Sequence, residues 1–219
     1  MKNRTIGSLS VSELGLGCMN MSMGYGKADD GESDRLLNQA LDVGYTFLDT
    51  AQVYGSGHNE ELIGKALEGR RSEYILATKC GLSRDGINGD LDGIMQSCEN
   101  SLKRLRTDVI DLYYLHRVDP KIPIEESTGA LAKLVEQGKV REIGLSEVCS
   151  DNLRRAHKVH PVAALQSEYS LWSRTPERGI LSVCDELKVA MVPFSPLGRA
   201  FLTGAASDVT ELVLSLIHV

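Results

Sequence analysis

Short apolar runs alternate with longer amphipathic stretches along most of this chain. Apolar runs at 14–17, 45–49, 74–78, 109–115, 140–145, 163–166 and 189–193 read as strands. Between them, helical spacing of apolar positions predicts helices over 29–43, 59–67, 91–105, 124–136, 151–159 and 176–187. Asp29, Asp30 and Glu32 supply the acidic start that the first of these helices favours. Gly44, Gly69 and Gly138 follow predicted helix ends, where a left-handed residue closes the last turn. Before this series, 5–11 reads as a hairpin around Gly7-Ser8, lying as a lid on a barrel bottom or as an edge ribbon.

The alternation of strand and helix implies parallel strands joined by crossover helices. An open doubly wound sheet that binds dinucleotides carries G-x-G-x-x-G after its first strand. Gly15 and Gly17 begin that pattern but Asn20 breaks it; Gly55 and Gly57 begin it again and Glu60 breaks it. A (β/α)8 TIM-type barrel is therefore expected. That fold places chemistry at the C-terminal ends of its strands. Here those ends carry Asp49, Lys79, His116, Ser146, Gln166 with Glu168, and Phe194-Ser195. A polar or aromatic residue closing six successive apolar runs is difficult to explain as packing.

Composition narrows the partners. The 219 residues, 42% hydrophobic and 25% charged, suit a globular protein with one large core. A net charge of −6 argues against a nucleic-acid binder. No run of 18 apolar residues predicts a membrane span, and no apolar leader follows Met1. Five cysteines without CxxC spacing read as reduced thiols, which with the missing leader predicts a cytoplasmic protein. His157 and His160 read as a solvated helix face and no metal site is expected.

The strand-end residues suggest acid–base chemistry. Lys79 emerges from the apolar run 75–78, where an unpaired ammonium is costly, and Asp49 is its natural partner. This pair is either a plain salt bridge in the barrel mouth or part of a site that includes Tyr54. A cation beside a phenol lowers its pKa, and bringing that pKa from about 10 toward 7 takes roughly 4 kcal/mol. His116 would orient a substrate carbonyl or share proton donation. No nucleophile elbow, Cys-His signature or paired carboxylates accompany these residues. A proton donor beside a carbonyl without a nucleophile calls for a delivered hydride, from a nicotinamide or flavin cofactor.

Asp49, Tyr54, Lys79 and His116, within FLDTAQVYGSGHNEELIGKAL, ILATKCG and IDLYYLHRVD, resemble the aldo-keto reductases. VREIGLSEV, AALQSEYSLWSR and VPFSPLGRAFLTG extend the resemblance to about residues 4–204. It implies an NADPH-dependent oxidoreductase that reduces a small-molecule aldehyde or ketone on a (β/α)8 barrel. Tyr54 would be the general acid, Lys79 its modulator, Asp49 the partner of Lys79 and His116 the carbonyl orienter. The cofactor would lie against Met19, Asp49, Ser146, Glu147, Gln166, Phe194, Ser195, Leu197, Gly198 and Arg199, with Trp172 and Tyr25 as substrate-pocket walls. The resemblance puts Asn20 where related loops often have Gly and Ala200 where the family pattern would have Gly, which alters the loops if the backbone there needs positive φ.

The resemblance fades after Gly204, so residues 1–204 form the expected barrel unit and 205–219 an atypical tail. The family segment that carries the last strand and binds the 2′-phosphate is not recognisable there. An incomplete barrel of about seven strands is expected, with self-association through its open edge. The alternative function is a non-catalytic relative of the family, a binding or regulatory subunit or a form deficient in cofactor.

Overall fold

The computed structural model describes residues 1–24, 26, 28–198 and 200–204. Tyr25, Arg199 and the tail from residue 205, to which the sequence assigns roles, lie outside these residues.

The chain opens with an antiparallel hairpin of β1 (Asn3–Ile6) and β2 (Leu9–Ser12). Its Ile6, Leu9 and Val11 pack on Ala77, Leu112, Tyr114 and Ala163, closing the barrel interior from below, as the lid reading expects. The Ser8 amide donates to Glu142 Oε1 at 2.7 Å and ties the turn to the rim.

β3 (Leu16–Gly17) then starts the barrel. α1 (Asp30–Asp42) follows, its N-terminus capped by the Asp29 carboxylate, which accepts from the Glu32 amide at 2.9 Å. Next come β4 (Phe47–Asp49), α2 (His58–Ala66) and β5 (Ile75–Cys80), then a small antiparallel pair, β6 (Leu82–Ser83) and β7 (Gly86–Ile87). α3 (Leu91–Leu105) is capped by Asp90, which accepts from the Gly93 amide at 2.7 Å. β8 (Ile110–Leu115), α4 (Ile124–Glu136), β9 (Val140–Ser146), α5 (Ser150–Val159), β10 (Ala164–Glu168), α6 (Ile180–Leu187) and β11 (Ala190–Phe194) complete the described elements.

Seven strands form one parallel sheet in the order β11-β10-β9-β8-β5-β4-β3. The sheet curls into a nearly closed barrel whose seam, between β3 and β11, carries no strand pairing among the described residues. Every residue of β8 is buried, because the interior and the helix ring cover its two faces. Tyr113 points outward among Ile94, Cys98 and Leu131, while Tyr114, one residue on, points inward beside Ala77 and Ala164. At the seam, β11 is only half-buried and tolerates Pro193, whose missing N–H would break an inner ladder.

The predicted helix 176–187 is split. A 3-10 turn at Thr175–Arg178 is separated from α6 by Gly179 at φ 147°. Helices α2 and α3 pack closely at Gly64. A β-carbon there would stand 2.4 Å from the Arg104 carbonyl and 2.7–2.9 Å from Leu105 backbone atoms. Gly64→Ala is therefore expected to cost about 1–3 kcal/mol by forcing the helices apart. A urea unfolding midpoint equal to that of the parent protein would show that α3 yields without cost.

Candidate active site

The strand-end residues converge at one mouth of the barrel. Lys79 is fully buried on β5 and uses all three of its N–H donors. Nζ donates to Asp49 Oδ1 at 2.5 Å, to the Thr50 carbonyl at 2.7 Å and to the Tyr54 hydroxyl at 3.5 Å. Asp49 Oδ2 accepts from Gln166 Nε2 at 2.8 Å, so the far side of the barrel joins the same network. The rings of Tyr54 and His116 meet edge to face with centroids 6.0 Å apart. The four residues singled out in the sequence thus form one cluster.

The electrostatics differ from the sequence expectation at Tyr54. Burial is the largest influence on its phenol and pushes the pKa above the ordinary 10.0; the Lys79 cation opposes this without reversing it. Tyr54 therefore stays protonated, as a proton donor must. Burial alone would lower the Lys79 pKa, but Asp49 and the Tyr54 phenol together raise it, so the ammonium is retained. His116 is pushed down to about 2, first by burial and then by the Lys79 and Arg117 cations, and its imidazole is neutral.

A second layer, not anticipated from sequence, holds these groups in place. Glu60 in the first turn of α2 is fully buried. Its Oε1 accepts from Thr78 Oγ1 at 2.6 Å and its Oε2 from Arg104 Nε at 2.7 Å. Thr78 immediately precedes Lys79, so this cluster pins helix, strand and lysine together. Asn59 is buried as well. Its Oδ1 accepts from Thr50 Oγ1 at 2.6 Å, and its Nδ2 donates at 2.8 Å to the Cys18 carbonyl and to Ser22 Oγ. The Tyr54–Gly57 turn between these anchors takes φ of 59° at Gly55, 57° at Ser56 and 98° at Gly57. Two of its three left-handed positions are glycine, the residue that adopts them without strain.

Most of the residues expected to hold a cofactor lie at the ends of β9, β10 and β11 and in the loop beyond. Ser146 ends β9 and lies in register with Gln166 on β10. Ser146 Oγ accepts from Arg117 Nη1 at 3.2 Å, which leaves its own O–H to donate. Gln166 spends its amide nitrogen on Asp49. Its carbonyl oxygen accepts from none of the described residues. A free donor beside a free acceptor is the complement of a carboxamide. Glu147 has φ 54° and its carboxylate accepts from the Glu168 amide at 2.7 Å. Phe194 ends β11 half-buried, opposite Glu168 in register. The loop beyond it turns sharply, with φ of 49° at Ser195 and 55° at Gly198, and Leu197 is exposed there. Met19 lies in a 3-10 turn after β3. Ala200 has φ 72°, so that position takes the left-handed conformation a glycine adopts without strain, whereas Asn20 does not. Trp172 packs on Phe201 at a ring distance of 4.7 Å and is more than half exposed.

Comparison with known proteins identifies the family. The model of the aldo/keto reductase family matches residues 13–211. A Glycine max protein described as "Probable aldo-keto reductase 1" is 48% identical over 203 residues, 89% of this chain and 58% of the relative. Among solved structures, a glycerol dehydrogenase from Gluconobacter oxydans superposes with a TM-score of 0.87 at 32% identity, covering 94% of this chain and 66% of that one. An aldo/keto reductase from Klebsiella pneumoniae, in complex with NADP and acetate, gives 0.77 at 33% identity over 87% of this chain and 66% of that one. The chain belongs to the aldo/keto reductase family, a family of oxidoreductases. It spans less than two thirds of the length of these relatives.

Proposed function

We propose that this chain carries the catalytic centre of an NADPH-dependent carbonyl reductase, converting aldehydes or ketones to alcohols with Tyr54 as general acid. The observation that carries the reading is the saturated Lys79 ammonium, held between Asp49 and the Tyr54 hydroxyl beside a neutral His116.

The donor set suits a nicotinamide dinucleotide. Ser146 and Gln166 would hold the carboxamide, with Asp49, Glu147 and Met19 beside it and Phe194 along the ring. Backbone groups of Ser195, Leu197 and Gly198 would surround the pyrophosphate. When bound, NADPH supplies the hydride that reduces the carbonyl carbon.

Tyr54 gives its proton to the carbonyl oxygen as that oxygen gains charge. Lys79 fixes the hydroxyl and stabilises the phenolate left behind. His116 Nδ1 is buried without a partner among the described residues. An unpartnered lone pair is easier to bury than an unpartnered N–H, which places the proton on Nε2, where it can orient the carbonyl. Asp49 neutralises Lys79, and Gln166 holds Asp49 in turn.

The test is a fluorescence titration with NADPH, followed by a panel of aldehydes and ketones. Saturable binding with carbonyl-dependent consumption of NADPH is expected. A chain that is folded by circular dichroism but binds no NADPH up to about 1 mM contradicts the reading. The pH profile is a further check. Neither His116 nor Tyr54 titrates near neutrality, so the reduction rate is expected to be level from about pH 5 to pH 9. It should fall only above the ordinary phenol pKa of 10.0, where the proton donor is lost. A midpoint near pH 7 would assign the donated proton to another group.

A further inference from the structure

Arg117, one residue beyond His116, is half-buried and has no carboxylate partner among the described residues. The other half-buried arginines, Arg70, Arg71, Arg104, Arg154 and Arg155, each pair with a carboxylate. Among the described residues the partners of Arg117 are neutral: Nη1 donates to the adjacent His116 carbonyl at 2.7 Å and to Ser146 Oγ at 3.2 Å. Both bonds use the same nitrogen. Nε and Nη2, the edge that forms a bidentate fork, have no partner among the described residues. Glu147, the acid next to Ser146, turns its carboxylate to the Glu168 amide.

A partly desolvated guanidinium with an open fork is unfavourable unless an anion completes it. The position indicates which anion. Arg117 reaches from the end of β8 to the end of β9, beside Tyr54, His116 and Ser146. The turn around Ser195–Gly198, suited to a pyrophosphate, follows β11. That is three strands from β8 in the sheet order, at about 4.8 Å per strand. The open fork therefore belongs to the reacting end of the pocket.

We propose that Arg117 is a specificity-determining residue that binds a carboxylate on the carbonyl substrate, so that the preferred substrates are oxo acids and aldehyde acids. This rests on the reductase reading and adds a substrate class to it. The chemistry is unchanged. One hydride from NADPH goes to the carbonyl carbon and one proton from Tyr54 to its oxygen, giving a hydroxy acid and NADP. The carboxylate takes no part beyond pairing with Nε and Nη2.

The experiment compares succinate semialdehyde and 4-carboxybenzaldehyde with their methyl esters, using NADPH and the full chain. The parent protein is expected to favour acid over ester by tenfold or more in kcat/KM, mainly through KM. Arg117→Met should reduce that ratio at least tenfold. Arg117→Lys, which keeps the charge without the fork, should restore part of it. Binding of terephthalate, measured by calorimetry, should weaken in the same order, and this readout needs no turnover. Equal losses on acid and ester, or unchanged terephthalate binding in both variants, would overturn the assignment. If the parent reduces neither acids nor esters yet terephthalate binding depends on Arg117, the anion site stands and the reductase reading fails.

Discussion

Replacing Tyr54 by phenylalanine is expected to lower carbonyl reduction by about 10²–10⁴-fold, the range spanned by general acid catalysis. The ring keeps its edge-to-face contact with His116, and only the hydroxyl 3.5 Å from Lys79 Nζ is lost. NADPH affinity should change by less than about twofold, because no proposed cofactor contact involves that hydroxyl. Lys79 keeps its bonds to Asp49 and Thr50. A parallel loss of binding and turnover would mean that the hydroxyl supports the pocket and does not donate the proton.

The largest loss of stability is expected at Glu60. Glu60→Ala removes a fully buried carboxylate that holds Thr78 and Arg104. Removing one partner of a buried pair strands the other, at about 3–5 kcal/mol. The side chain of Arg104 is about one-fifth exposed, so hydration of the guanidinium recovers part of that cost. The lower part of this range is therefore expected in urea unfolding. Because Thr78 abuts Lys79, activity should fall at temperatures where the protein is still folded. Glu60→Gln keeps the acceptor for Thr78 and should fall between the two. A variant as stable as the parent would mean that α2 is anchored by its apolar face alone.

Much of this arrangement is legible in the chain. Asp49, Lys79 and His116 each end an apolar run, and a polar residue at the C-terminal end of a barrel strand faces the mouth. Their period therefore announced the fold and pointed to the candidate site. Glu60 and Asn59 were hidden for the opposite reason. A polar residue in the first turn of a helix reads as a capping or dipole residue. Their burial depends on Arg104 and Cys18, 44 and 41 positions away in sequence. Arg117 was hidden because nothing local shows that an arginine lacks an acidic partner. The direction of the Tyr54 shift also needed the structure, since charge proximity can be inferred from sequence but the depth of burial cannot. Gly179 divides a helix that apolar spacing alone made continuous.

The central claim is that a carbonyl placed beside Tyr54 and His116 receives a hydride from NADPH. The direct measurement is transfer of label. The protein is incubated with NADPH carrying deuterium at the transferable position and with an aldehyde, and the alcohol is analysed by mass spectrometry. One deuterium on the carbinol carbon, present with the parent protein and missing with Tyr54→Phe, is the expected result. Folded protein that binds NADPH yet yields no labelled alcohol from any aldehyde or oxo acid would contradict the claim.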